Sequence, residues 1–430
     1  MKNKDSDISF LGKVILFFRG IRDKIAALRI FGRISDRQKV LSAYSGKDIS
    51  EESRISYVLG IAKVITVAFL SLLLVITLLF GSKLISYEKV YYMFKDISYI
   101  KSFYESMPES LSYSRPVRNQ TFEGFKNGLL VASDSEIKLF TSTGRVTLSE
   151  GSEMVNPRVT TSNGYALIYD QGRRSFSIYN SFVSLYSENT EYPIALADMA
   201  DGGEFLIVTS SAKYASVVKI YDSEFNLTAE FSKNDRVISA SLSSNGRYAV
   251  ILSVEARNGV ARTTVTVLDC RDNEIISQTV KSDSMPYRAE FLGNDRIAVF
   301  LDDKACVIDR EGKIIGEYSY PSDAERIDVH GDRFVILFSR KKGEKSAALA
   351  VFNSYCSPIF TTNVEGNVRD LEFCGTDLYI LKSKELVRIN TVLGGISTSE
   401  VHADTVSVVA FEDGRVLACS AASGTYISFD

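Results

Sequence analysis

Hydrophobic and polar positions along the chain follow three different rules. Between Leu11 and Leu28, the residues Leu11, Val14, Phe18, Ile21, Ile25 and Leu28 recur every three or four positions while Lys13, Arg22, Lys24 and Arg29 fall off that line. Such spacing lines one face of a helix, and it predicts an amphipathic helix over about 10–34. From Val64 to Phe80 polarity disappears into seventeen residues, VITVAFLSLLLVITLLF, without a charge. From about Gln120 onward, short apolar runs alternate with Asx and Gly turns, as in RYAVILS and EFLIVTS. Runs of that length bounded by turn residues predict strands.

The uncharged stretch predicts a single transmembrane helix over 57–81. Counted from Val58 it is roughly 34 Å long at 1.5 Å per residue, enough for a hydrocarbon core of about 30 Å. The 57 residues that come before it, and the absence of a small-x-small site in Phe80-Gly81-Ser82-Lys83, exclude a cleaved signal peptide. Residues 1–56 hold twelve Lys+Arg against seven Asp+Glu, whereas Leu84 to Asp430 hold 36 against 46. The basic side stays in the cytoplasm, which puts the large part outside the cell membrane. A basic helix with a wide apolar face suits the headgroups of an anionic leaflet, although a partner-binding helix shares the pattern. Residues 82–118 begin with Tyr87, Tyr91, Tyr92 and Phe94, aromatic rings suited to the outer interface.

The third rule is a repeat. Strand ends at Leu139-Phe140-Thr141, Ile178-Tyr179-Asn180, Ile220-Tyr221-Asp222, Val267-Leu268-Asp269, Val307-Ile308-Asp309, Val351-Phe352-Asn353, Arg388-Ile389-Asn390 and Ser428-Phe429-Asp430 are spaced 37 to 47 apart. Turns keep step with them, from Asn127-Gly128 to Asp413-Gly414. A period near 40 with several short strands per unit predicts an all-β fold, a β-propeller over 119–430. Two landmarks give eight blades, with seven as the alternative. The last repeat stops after its third strand, so its fourth is expected from before the first repeat, within Ser110 to Val117, to cover the bare edge.

Charge and chemistry narrow the function. Connections between second and third strands should emerge on one rim, the longest being Glu255 to Arg262 and Arg340 to Lys345. That rim carries Arg173, Arg174, Lys213, Arg257, Arg262, Arg340, Lys341, Lys342, Lys345, Lys382 and Lys384 against fewer acids, Asp170, Glu255, Asp302, Asp303 and Glu344. Convergent cations on an otherwise acidic domain suggest an anionic partner, an envelope protein or wall polymer. Nucleic acid is disfavoured by the domain's negative charge. The two histidines, His330 and His402, stand in no metal-binding spacing, and the five cysteines lie singly, so neither a metal site nor a cofactor is expected. No GxSxG elbow or P-loop occurs, and Trp is absent.

The basic tail, the single span, the SYEKVYYMFKDI segment and blades reading SFSIYNSFVSLYS, SVVKIYDSEFNLTAEFSK and NGRYAVILSVEA resemble a family of uncharacterised membrane-anchored proteins of Gram-positive, clostridia-like bacteria. The resemblance covers about residues 57–430. It implies an eight-bladed propeller outside the membrane and no activity. The expectation is a non-catalytic scaffold, binding or sensing module at the cell envelope. The alternative is a polysaccharide lyase or hydrolase with carboxylates and tyrosines at the propeller mouth. A deep pocket of convergent carboxylates would favour the enzyme, a flat basic rim the binding module.

Overall fold

The structure, a computed structural model, describes residues 63, 67, 71, 110–113, 119–282 and 284–429. The chain divides into two compact units, Met1–Lys95 and Asp96–Asp430. The amphipathic tail helix and the aromatic juxtamembrane segment lie outside the described residues, as does the span except Lys63, Val67 and Ser71, which are helical. Among the described residues no helix is long and apolar enough to cross a membrane.

Eight four-stranded antiparallel sheets follow one another in the second unit. The first strand of each sheet packs against the first strand of its neighbours, so these strands surround a central channel and the sheets are the blades of a propeller. The inner strands are, from blade 1 to blade 8, Thr121–Phe125, Pro157–Thr161, Ile194–Met199, Arg236–Leu242, Pro286–Leu292, Ala324–His330, Asp370–Cys374 and Ser407–Ala410. Blade 8 takes its outermost strand from the other end of the propeller sequence. Ser110–Ser112 pairs with Ser423–Ile427 in the register Ser110 to Thr425 and Ser112 to Ser423. The inner strands of blades 8 and 1 then meet, and the ring has no open edge.

Second strands read as continuous apolar runs, such as Gly128–Ala132, Ala166–Asp170 and Phe205–Thr209, each buried throughout because a neighbouring blade covers both of its faces. Cores form between blades. Leu206, Val208 and Val218 of blade 3 pack with Val237, Ala249 and Ile251 of blade 4. Val335, Leu349 and Val351 of blade 6 pack with Leu371, Leu378 and Ile380 of blade 7. All five cysteines are buried thiols within these layers.

The residue that closes each third strand has a local cause. Asn180 Oδ1 accepts from the backbone N–H groups of Phe182 and Val183, and Asp222 Oδ1 from those of Glu224 and Asn226. Asp269, Asp309, Asn353 and Asn390 do the same in blades 4 to 7, and the Thr141 hydroxyl replaces them in blade 1. A short acceptor side chain satisfies the turn that would otherwise leave donors bare, which is why Asx recurs there.

One expected loop is not a loop. Strands Tyr248–Arg257 and Val260–Asp269 pair through Arg257 opposite Val260, so Glu255 to Arg262 forms the tip of a long hairpin with only Asn258 and Gly259 in its turn. Asn258 at φ 53° and Gly259 at φ 78° supply the two left-handed residues that such a turn demands.

Candidate functional site

Strand direction sorts the connections into two faces. Second-to-third turns and the links between blades share what is called here the upper face, while first-to-second and third-to-outer turns share the lower face. Two features stand out against this frame, an acidic ring in the channel and a basic patch on the upper face.

The ring follows from register. Counting the turn bonds donated by Ser162, Ala200, Ser243 and Phe411 in blades 2, 3, 4 and 8, the residue two positions before the last one that bonds across the first turn is, blade by blade, Glu123, Thr160, Asp198, Ser241, Glu290, Asp328, Glu372 and Val409. Five of the eight are carboxylic acids. Six of them, all but Thr160 and Val409, line a cavity of about 470 Å³ that continues to His330 and Gly331 on the lower side. A second cavity of about 380 Å³ shares Asp198, Ser241, Arg288 and Glu290 and is also lined by Tyr287. Tyr287 is exposed.

Crowding of acids among apolar sheets raises their proton affinities. Loss of water pushes Glu123 and Glu290 up to about 7, in Glu290 against the lowering pull of Arg288 and in Glu123 with help from Asp328. Asp198 and Asp328 are raised by the same desolvation, and Glu372 is raised well above the usual range by desolvation and by Asp328 and Glu123. Two of the ring's acids also bond the next blade. Asp198 Oδ2 accepts from Leu242 N at 2.7 Å and Asp328 Oδ2 from Phe373 N at 2.7 Å, linking inner strands 3 to 4 and 6 to 7. One level higher, Asp370 Oδ2 accepts from Val408 N at 2.9 Å and links 7 to 8. Arg288, on the same strand as Glu290, donates to it and to the Ile327 carbonyl at 3.1 Å. The ring therefore staples blades, and it keeps two carboxyls able to give or take a proton near neutrality. Among the described residues no group of three or more potential ligands could hold a metal ion. His330 stands 6.3 Å from the Phe373 ring, and exposed His402 pairs with Asp404.

The cations of the upper face divide. Arg340, Lys341, Lys342 and Lys345 are all exposed in the connection between Arg333–Phe338 and Ser346–Phe352. Arg340 donates to the Gly366 carbonyl at 2.8 Å, and a side chain placed on Gly366 would meet Lys382, so the blade 6 loop joins Lys382 and Lys384 of blade 7. Lys382 is paired with Glu385 at 2.7 Å. Arg173 and Arg174 sit exposed in blade 2, across the ring from that patch, and Lys213 lies over the Tyr214 ring at 5.1 Å in blade 3. Arg257 closes its strand at the tip of the blade 4 hairpin, and Arg262 faces Glu255 at 3.7 Å. The structure thus makes one concentrated patch on blades 6 and 7 and separates it from the remaining cations. Asp170, expected on the rim, is instead buried and accepts from Val155 N and Asn156 N. Links between blades add Glu153, Glu191, Asp235, Asp323 and Asp404 to the same face, acids that a count of second-to-third turns omits.

The acidic ring escaped sequence reading because each member is one polar residue in an apolar strand. Its signal was there: in AEF, IDV and LEF of blades 5 to 7 an acid sits at a fixed distance before the turn.

Fold and site together define an eight-bladed propeller with a carboxylate-lined channel and a basic patch on one face. Residues 101–415 match the model of a family of unknown function, DUF5711, and the chain belongs to that family. No curated protein matches it. Among solved structures it is similar to BamB from Moraxella catarrhalis, with TM-score 0.50 and 11% identity over 75% of this chain and 98% of that one. The hydrazine synthase of Kuenenia stuttgartiensis matches at TM-score 0.45 and 12% identity over 63% and 94% of the two chains. The Pan2 WD40 domain of Neurospora crassa matches at 0.45 and 10% over 63% and 88%. These likenesses concern the fold.

Proposed function

We propose that the chain is a membrane-anchored, non-catalytic propeller that displays the Arg340–Lys345 patch to an anionic partner at the outer side of a bacterial cell membrane. The observation that carries the reading is the blade 6 loop: four exposed cations in six residues with a single acid, Glu344, tied to blade 7 through Arg340 and Gly366. Charge held on a rigid rim attracts an opposite surface over a Debye length of about 8 Å at physiological salt. The uncharged stretch from Val64 to Phe80 and the +5 balance of the tail support anchoring with the amino end inside, and the sequence resemblance supports a Gram-positive source. Crosslinking in native membranes followed by pull-down tests the reading. Partners recovered with the wild-type chain should be lost on reversing Arg340, Lys341 and Lys342 to Glu, and unchanged partners would refute it.

A second reading has its own observation. Glu123 and Glu290, both pushed up to about 7, flank a channel with Arg288 and Tyr287, groups that suit acid/base work on a polysaccharide. Hydrolysis or cleavage of envelope glycans that disappears on Glu290→Gln would favour it.

A further inference from the structure

A carboxylate taken out of water is costly unless a cation or hydrogen-bond donors meet it. The channel departs from that rule. Its larger cavity, about 470 Å³, is lined by Glu123, Asp198, Glu290, Asp328 and Glu372 of the ring and by Asp201 in the lower-face turn of blade 3. The basic side chains there are His330 and Arg288, and Arg288 is taken by Glu290. Among the described residues none of the other five acids forms an ion pair. Backbone donors of the next blade meet three of them, Leu242 at Asp198, Phe373 at Asp328 and Ala410 at Glu372. Glu123 has no such donor. It lies at full depth in the ring, lines the cavity and accepts no hydrogen bond among the described residues.

The arrangement selects the kind of cation that would complete it. Among the described residues no three potential ligands converge closely enough to hold a metal ion, so the negative charge is spread around a ring rather than gathered at a point. A chain bearing several ammonium groups reaches acids on different blades, which a single ion does not. The second cavity meets the first at Asp198, Ser241, Arg288 and Glu290, and this lengthens the space along the axis. Two positions earlier on the inner strands stand Arg158, Arg288 and Arg326 against Asp370 alone, so the channel turns basic toward the upper face. The acidic part is thereby confined to the lower side, where the small turn residues Ser244, Gly293 and Gly331 border the cavity.

We infer that the lower part of the channel binds a linear organic polycation, an alkyl di- or triamine, whose ammonium groups are shared among Glu123, Asp328 and Glu372. This goes beyond both readings above, since neither an anion at blade 6 nor acid/base work requires it. The three acids act on one another across blades 1, 6 and 7, which puts them within reach of one ligand. Without a cation, protons relieve the crowding, and desolvation first of all pushes Glu123 and Glu290 up to about 7. An alkylammonium keeps its charge to about pH 10, so near neutrality it displaces those protons and binding tightens as pH rises from 5 to 8. The charged and titratable groups around it are the six acids with Arg288 and His330, and Arg158, Arg326 and Asp370 one level higher.

Isothermal titration calorimetry of the full chain in detergent micelles, with spermidine as the probe, tests it. At pH 8 binding should saturate at about one per chain and be about tenfold or more tighter than at pH 5. At pH 7 the heat should change with the ionisation enthalpy of the buffer, because protons leave as the amine enters. Glu123→Gln should weaken binding at pH 8 about tenfold, and adding Glu372→Gln should weaken it further. Glu311→Gln, on an exposed turn of blade 5, should leave it unchanged. Wild-type affinity in both channel variants would make spermidine a counterion of the outer surface and overturn the inference, as would the absence of saturable binding. Displacement of spermidine by magnesium chloride at equal or lower concentration would show a metal-ion site and overturn the amine assignment. The blade 6 patch takes no part in these measurements, so their failure leaves the first reading standing.

Discussion

Replacing Glu123 with Gln tests the channel ring most cleanly, because Glu123 accepts no hydrogen bond among the described residues and its loss orphans no donor. Its carboxyl is pushed up from 4.5 to about 7 by desolvation first and by Asp328 second. A raised acid binds more protons folded than unfolded between those two values, so the stability of the propeller falls as pH rises through that window and the loss is complete above about 7. At 1.36 kcal/mol per unit the penalty carried by Glu123 at pH 8 is roughly 3 kcal/mol. Gln keeps the shape and removes the charge. Glu123→Gln should therefore raise the melting temperature at pH 8 by several degrees, leave it unchanged at pH 4, and flatten the slope between. Circular dichroism melts across that range read the effect directly. A variant with the wild-type slope, or one destabilised at pH 8, would show that the acid is ionised in the ring without cost.

Other outcomes follow from the same geometry. Asp328→Leu removes the acceptor of Phe373 N and should cost about 1–3 kcal/mol in urea melts, while Asp328→Asn, which keeps an acceptor oxygen, should cost less. Gly316→Ala forces a methyl against the Tyr355 carbonyl and should lower the melting temperature, whereas Gly343→Ala, with nothing within 4 Å, should act only through its φ of 95°. Deleting Ser110–Ser112 bares the edge of Ser423–Ile427 and should yield an aggregating or protease-sensitive ring; an unchanged melt would show that closure does not need the strand. Protease added to protoplasts should digest the propeller and spare residues 1–56, and protection of the propeller would contradict the extracytoplasmic assignment.

Blade number was legible because two turn chemistries recur for a local reason: an Asx side chain caps the third strand in blades 2 to 7, with Thr141 in its place in blade 1, and a Gly or Asx residue turns the first strand into the second. Ring closure was legible from one missing strand. What sequence could not convey was the angular arrangement of loops. Arg173 and Arg340 look alike along the chain, yet blades 2 and 6 stand opposite each other, and only Gly366 shows that Arg340 neighbours Lys382. Glu255 to Arg262 reads as a polar loop, but its alternating side chains are those of a two-stranded hairpin tip, and Asp170, polar and next to Gln171-Gly172, is drawn inside by two backbone donors. The acidic ring was hidden because its members lie some 40 residues apart and meet only when eight strands close.

The most direct measurement of the central claim is partner recovery against salt. Crosslinked pull-down of the full chain from native membranes, run at low and at high ionic strength beside the variant with Arg340, Lys341 and Lys342 reversed to Glu, should yield an anionic partner at low salt only, and none with the variant. Equal recovery in all conditions would mean that the patch is a solvated surface and that the propeller acts through its channel.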